Sequence, residues 1–201
     1  GLKEEDAYPA NPEDGYGWEK LFGERMCRHF QEDFGLDVKV ARYHNIFGPQ
    51  GTYDGGREKS PAALCRKIAL AKLNNSKEID VWGDGSQTRS YLFVDDCINA
   101  TLKLFNSNNH GPINIGSEEQ VSINQMIEMI ESIAKYEVIK KYDLSKPVGV
   151  KGRSSNNELI KKQLNWSPKL NLYEGLSITY DWIETMIKNN VNSSSIFTRK
   201  Y

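Results

Sequence analysis

The 201-residue sequence predicts an α/β fold. Segments with apolar residues at three-to-four spacing alternate with short β-branched runs, the order of helices and strands that cross over one another. Glycines, prolines and capping residues stand at the joints between these segments. No internal repeat or heptad seam competes with that order. A composition of 38% hydrophobic and 10% aromatic residues supplies a core that disordered chains lack, while a mean hydropathy of -0.62 leaves a large polar surface.

Residues 1–13 read as a loop, because Pro9 and Pro12 interrupt regular structure. Residues 14–34 place Trp18, Leu21, Phe22, Met26, Phe30 and Phe34 at helical spacing, and Gly35 follows as a C-terminal cap. Residues 38–48 start β-branched and close on Gly48-Pro49, the pattern of a buried strand entering a loop, in which Gly51, Gly55 and Gly56 permit close approach to a ligand. Ser60 as cap and Pro61 in the first turn open a helix to residue 73. A strand at 78–82, a turn at 83–89 and a strand at 90–96 follow, with Asp95 placed to cap the next helix. Residues 113–117 read as a strand, and Ser122 caps a helix with Ile123, Met126, Ile127, Ile130 and Ile133 on one face. Residues 136–144 read as the last strand and 157–166 as a helix. The final helix, 172–188, turns Leu172, Leu176, Ile178, Tyr180, Ile183 and Ile187 inward, ahead of a polar tail at 189–201. Trp18, Trp82, Trp166 and Trp182 fall at positions suited to core packing.

Twenty-six Lys plus Arg against 27 Asp plus Glu leave a formal charge of -1, which argues against a nucleic-acid or anionic-membrane partner. No run approaches the roughly 20 apolar residues of a membrane helix, and the acidic N-terminus lacks the order of a secretory signal. Cys27, Cys65 and Cys97 are an odd number at wide spacing, unlike a disulfide framework or a zinc site, so a reducing cytoplasm is expected. There, the sequons at Asn74 and Asn192 carry no glycan. His29, His44 and His110 are scattered and predict no metal site.

Tyr16 and Lys20 stand four apart on the first helix, a spacing that puts an ammonium beside a phenol on one face. The cation can then let a tyrosinate accept a proton near neutral pH. The same spacing also arises by chance on any helix. Its context is more specific. The helix leads into a strand ending Arg42-Tyr43-His44-Asn45-Ile46-Phe47-Gly48-Pro49, and later come WGDGSQTRSYLFVDD and PINIGS. This series resembles the extended short-chain dehydrogenase/reductase family, the NAD-dependent epimerases and dehydratases, over roughly residues 5 to 188. The resemblance implies the C-terminal part of a Rossmann-like enzyme plus its small α/β substrate-binding domain. The run Gly55-Gly56-Arg57-Glu58-Lys59, with Cys65-Arg66-Lys67 and Gly149-Val150-Lys151-Gly152-Arg153, is similar to the branch that epimerises a GDP-sugar.

That branch implies NAD-dependent conversion of GDP-mannose to GDP-L-galactose. A sugar C–H has no usable acidity, but a transient ketone at C4 acidifies C3 and C5. By resemblance Tyr16 is the base toward the C4 hydroxyl, Lys20 meets the nicotinamide ribose, and Lys59 is the general acid/base at the ring. Its partner there is a cysteine upstream of the tyrosine, and none of this chain's three cysteines matches it. Lys59 also reads as a solvated loop lysine beside Arg57 and Glu58. Lys67, Arg89 and Arg153 are implied at the GDP end, with Asn45, Glu58, Ser60, Gln87 and Thr88 completing the substrate set. Arginine suits a diphosphate through its planar fork. Lys67 equally fits an ordinary cationic helix face, and His44 reads either as part of the nicotinamide pocket or as a structural histidine. Asn156 stands where relatives often have Asp and is assigned nothing.

The chain contains no glycine-rich dinucleotide turn and no following acidic residue. With Tyr16 so early, the expectation is a fragment lacking the N-terminal NAD-binding part and inactive alone. Residues 1–50 then end the dinucleotide-binding domain, and 51–188 are mainly substrate-binding, with a returning Rossmann strand and helix near 78–116. A nucleotide-sugar-binding half-domain without turnover, another nucleotide-sugar epimerase or dehydratase, and an interaction protein pairing through the Tyr16 helix are the competing readings. The resemblance implies a homodimer through that helix.

Overall fold

The computed structural model describes residues 1–12, 14–146 and 152–189. Part of the Gly149–Arg153 motif and all of the tail beyond residue 189 lie outside them. The α/β class holds. Helix α1 (Gly15–Phe34) leads to β1 (Ala41–Tyr43), β2 (Ile46–Phe47), α2 (Ser60–Leu73), β3 (Glu78–Trp82), β4 (Thr88–Ser90), β5 (Leu92–Phe93) and α3 (Val94–Phe105). There follow β6 (Ile113–Ile115), β7 (Gln120–Ser122), α4 (Ile123–Ala134), β8 (Ile139–Asp143), β9 (Gly152–Arg153), α5 (Glu158–Leu164) and α6 (Leu172–Lys188). Parallel pairs join β1 to β6, β2 to β5 and β3 to β8, while β4 sits between antiparallel β7 and parallel β9.

Local chemistry explains the boundaries. Asp14 caps α1 by accepting from the Gly17 amide at 2.9 Å, and Gly35 ends it at φ 68°. Ser122 and Gln125 form a reciprocal capping box on α4. The strand expected over 38–48 is broken, because Asn45 adopts φ 45°, a left-handed conformation that asparagine tolerates. Residues 1–13 are not all loop: Glu4–Ala7 form a 3₁₀ turn, with the Lys3 amide bonded to Asp6 at 2.7 Å. Ser60 is the first residue of α2 rather than its cap, which is Lys59. Asp95 lies inside the first turn of α3, whose cap is Phe93, so the strand expected over 90–96 ends early. The strand over 136–144 is not the last, since Gly152–Arg153 adds β9. Residues 165 and 166 fall outside α5, where Asn165 turns left-handed at φ 45°.

Two apolar clusters form the core. The larger packs α2, α4 and α6 together through Ile68, Met126, Ile130, Leu176 and Ile183, all fully buried. Each such side chain contributes about 2 kcal/mol of apolar burial. The smaller cluster gathers Leu92, Leu104, Ile113, Ile115, Ile160 and Trp166 between α3, α5 and the β6 strand. Three expected core residues are exposed instead. Trp82 falls on the outward phase of β3, whose Ile79 and Val81 point inward. Ile178 lies off the buried stripe of α6. Trp18 is 52% exposed, as α1 buries none of its residues and leaves Trp18, Phe22, Met26, Phe30 and Phe34 facing outward. No helix among the described residues is long and apolar enough to cross a membrane.

Candidate active site

The candidate residues divide between two hollows. The first is a groove of about 620 Å³ between the N-terminal turn, α1 and β1, lined by Tyr16, Lys20, His44 and Asn114. Helical spacing brings Tyr16 and Lys20 together, but the Lys20 ammonium sits over the ring, 5.1 Å from its centroid, and 3.3 Å from Glu19. The contact is cation–π rather than ammonium to hydroxyl. Tyr16 is 68% exposed.

His44 leaves β1 with its amide donating to the Ile115 carbonyl at 3.0 Å. Its Nε2 lies 3.4 Å from Asn114 Oδ1. Since Asn114 Nδ2 donates to the Leu2 carbonyl at 2.9 Å, Oδ1 is left to accept, which assigns the proton to His44 Nε2. Burial lowers the imidazole's pKa, outweighing the Asn114 hydrogen bond, and Arg153 and Arg42 push the same way; the ring is neutral at pH 7. Gly116 is required beneath it, because a Cβ there would stand 2.6 Å from Ser155 Cβ and 2.7 Å from His44 Cβ.

The second hollow, of about 370 Å³, lies between the Gly-rich loop, α2 and β3–β4, and gathers Glu58, Ser60, Lys67, Gln87 and Arg89. Gly55 and Gly56 both hold φ +84°, the conformation that lets the loop fold back onto α2. Glu58 accepts from the Gly56 amide at 2.7 Å and from Arg66 at 3.0 Å. Lys67 Nζ donates to the Asp80 carbonyl at 2.6 Å, and burial lowers its pKa. Gln87 donates to the Trp82 carbonyl at 3.2 Å, leaving its buried Oε1 without a hydrogen-bond partner. Ser60 hydrogen-bonds Tyr91 on the cavity wall. The cavity can present cationic donors to an anion together with hydroxyl and amide groups.

The remaining predicted residues are not on either wall. Asn45 spends its amide on the Ser90 carbonyl at 3.1 Å. Lys59 is exposed at the cap of α2, between the cavity residues Glu58 and Ser60. Thr88 and Arg89 pair in register with Gly152 and Arg153, which sets Arg153, itself exposed, beside Arg89. Sequence reasoning missed Arg66, Tyr91 and Asn114. All three lie inside motif segments quoted above, Arg66 directly before Lys67, but nothing in those segments marked them as site residues. No three His, Cys, Asp or Glu side chains among the described residues cluster to hold a metal.

Comparison with known proteins gives the chain's relatives. The model of the NAD dependent epimerase/dehydratase family matches residues 2–116. A GDP-mannose 3,5-epimerase of Arabidopsis thaliana is 48% identical over 187 residues, 93% of this chain and 48% of that protein. A GDP-L-fucose synthase of the same plant is 31% identical over 170 residues, 83% of this chain and 52% of its own. The chain thus spans about half the length of the curated relatives it matches. Among solved structures, UDP-glucose 4-epimerase of Thermotoga maritima with UDP-glucose superposes at a TM-score of 0.80 with 26% identity, covering 88% of this chain and 55% of that one. UDP-glucuronic acid 4-epimerase of Bacillus cereus, in complex with UDP-glucuronic acid and NAD, gives 0.75 and 29%, covering 92% and 57%. With more than half of its residues matched by the family model and both motif groups folded around hollows, the chain belongs to the NAD dependent epimerase/dehydratase family.

Proposed function

We propose that this chain carries the sugar-side groups of an epimerase that converts GDP-mannose to GDP-L-galactose. The observation that carries the reading is the single cavity holding Glu58, Ser60, Lys67, Gln87 and Arg89, in a chain 48% identical to GDP-mannose 3,5-epimerase. Lys67 and Arg89, with Arg153 in register beside Arg89, bind the diphosphate. Gln87 and Ser60 orient the nucleotide and sugar by neutral hydrogen bonds, while Asn45 and Thr88, on neither wall, support the strands beside them.

The groove fits the nicotinamide end of NAD. Tyr16 and Lys20, both on the groove wall, would face the ribose and the reacting sugar hydroxyl, and a neutral His44 would add no charge against a cationic ring. NAD, when bound, supplies the transient oxidation at C4. Tyr16 takes the proton of the C4 hydroxyl and returns it. Lys20 holds the ribose and the phenol in line. Lys59 moves protons at the acidified ring carbons.

The assembly proposed is a homodimer through α1, which the outward row from Trp18 to Phe34 supports. The location proposed is the cytoplasm, in keeping with three unpaired cysteines, of which burial pushes the Cys65 and Cys97 thiols up. Residues 1–50, with β6 and α3 packed on β1, are read as the end of the dinucleotide-binding domain, and 51–188 as mainly the substrate-binding domain.

The test is calorimetric titration with GDP-mannose and with UDP-glucose, followed by incubation with GDP-mannose and NAD in deuterated water. Preferential binding of GDP-mannose is expected of this chain, and deuterium entering C3 and C5, lost in Lys59→Ala at unchanged affinity, is expected of a longer protein that also carries the NAD-binding part. Binding without exchange in that longer protein establishes the half-domain reading, and equal or better binding of UDP-glucose refutes the substrate.

A further inference from the structure

Glu58 is an unusual group to find on the wall of a cavity meant for a diphosphate. Its side chain is only 9% exposed, and a buried carboxylate repels the phosphates it faces unless its charge is cancelled. Arg66 cancels it. The guanidinium Nη2 donates to Glu58 Oε1 at 3.0 Å, while Nε donates to the Tyr53 carbonyl at 2.8 Å. Glu58 Oε2 in turn accepts from the Gly56 amide. One arginine on α2 therefore grips both the start and the end of the glycine loop, and it lines the cavity itself.

Charge on the wall supports this. Glu58 and Asp80 contribute two negative charges and Arg66, Lys67 and Arg89 three positive ones. Removing Arg66 alone leaves no net positive charge and an uncompensated carboxylate at the site where Lys67 and Arg89 gather. Resting on the reading under Proposed function, we propose that Arg66 is a positioning residue for the nucleotide diphosphate. It holds the Tyr53–Glu58 loop on α2 and masks the Glu58 charge, so that the cavity accepts an anion without Arg66 itself contacting the ligand.

The experiment is titration of GDP, and separately of GDP-mannose, into the 201-residue chain and its variants, with folding checked by circular dichroism. Arg66→Ala is expected to weaken GDP at least tenfold. Arg66→Ala/Glu58→Gln, which removes the exposed charge along with its mask, is expected to recover GDP affinity to within about threefold of wild type, and Arg66→Lys to keep most of it. A purely structural arginine predicts that the double variant binds as poorly as Arg66→Ala, which overturns the proposal, as does unchanged affinity in Arg66→Ala. If Arg66→Ala does not fold, the double variant and Arg66→Lys decide: loss of GDP binding in both, when folded, overturns it. Wild-type chain that binds neither ligand overturns the nucleotide-sugar reading and this inference with it. Wild-type binding with an indifferent Arg66 overturns this inference alone.

Discussion

The Arg42 guanidinium takes the Glu24 carboxylate in a two-pronged grip, Nε to Oε1 at 2.7 Å and Nη2 to Oε2 at 2.6 Å, and so ties helix α1 to strand β1. Its remaining nitrogen Nη1 donates to the Glu4 carbonyl at 2.7 Å. One side chain thereby anchors the three walls of the Tyr16–Lys20 groove, in a part of the fold where α1 buries no residue of its own.

Glu24→Ala should therefore loosen α1 and strand a mostly buried guanidinium. Both side chains are about four-fifths buried, so a loss of about 2 kcal/mol is expected. Urea unfolding measures it, and a change within experimental error would show that α1 is held by other contacts.

Lys67→Ala removes a cation that burial already primes toward the neutral form and that sits on the cavity wall. GDP affinity should fall roughly tenfold, as for loss of one charge-assisted hydrogen bond of about 1.5 kcal/mol. Calorimetry decides, and equal affinity assigns Lys67 to the Asp80 carbonyl alone.

Asp96 is buried and accepts the backbone amides of Lys169 and Leu170 at 2.9 and 3.0 Å, fixing the turn before α6. Asp96→Ala leaves both donors without their partner and should cost about 3 kcal/mol. A thermal melt unchanged from wild type would mean that water replaces the carboxylate.

Glu184 joins α6 to α2. Burial alone would raise its pKa, yet hydrogen bonds from Lys188, Lys72 and Tyr180 outweigh this and hold it down to about 2. A folded-state pKa below the unfolded value of 4.5 gives stability that is complete above pH 4.5 and lost as pH falls toward 2. Glu184→Gln should flatten that acid limb by about 2 kcal/mol between the two pH values. An acid limb as steep as wild type would rule out this carboxylate as its source.

Much of this arrangement is written locally. Asp14, Gly35 and the Ser122–Gln125 box mark helix ends through bonds spanning three or four residues, so their roles can be read without the tertiary fold. The same holds for the Tyr16–Lys20 spacing. Other features depend on partners distant in sequence. The cap at Phe93 rather than Asp95, the break at Asn45, and the pairing of Arg89 with Arg153 are set by what packs across the sheet. The exposure of Trp18 is likewise invisible to periodicity, which shows which residues share a face and not whether anything covers it. Among candidate site residues, Lys67, Gln87 and Arg89 were legible through motifs, whereas the contacts that Arg66 and Asn114 make to Tyr53, Glu58, His44 and Leu2 are set by the tertiary fold.

The register of β4 against β9 makes Arg89 and Arg153 partners in a ladder only two residue pairs long. Like charges so placed push the strands apart, more strongly in dilute salt than in concentrated salt. An anion lodged between them would reverse the sign of that force. The short strand would then be a joint that a bound dianion tightens, and cohesion of the sheet and occupancy of the site would rise and fall together.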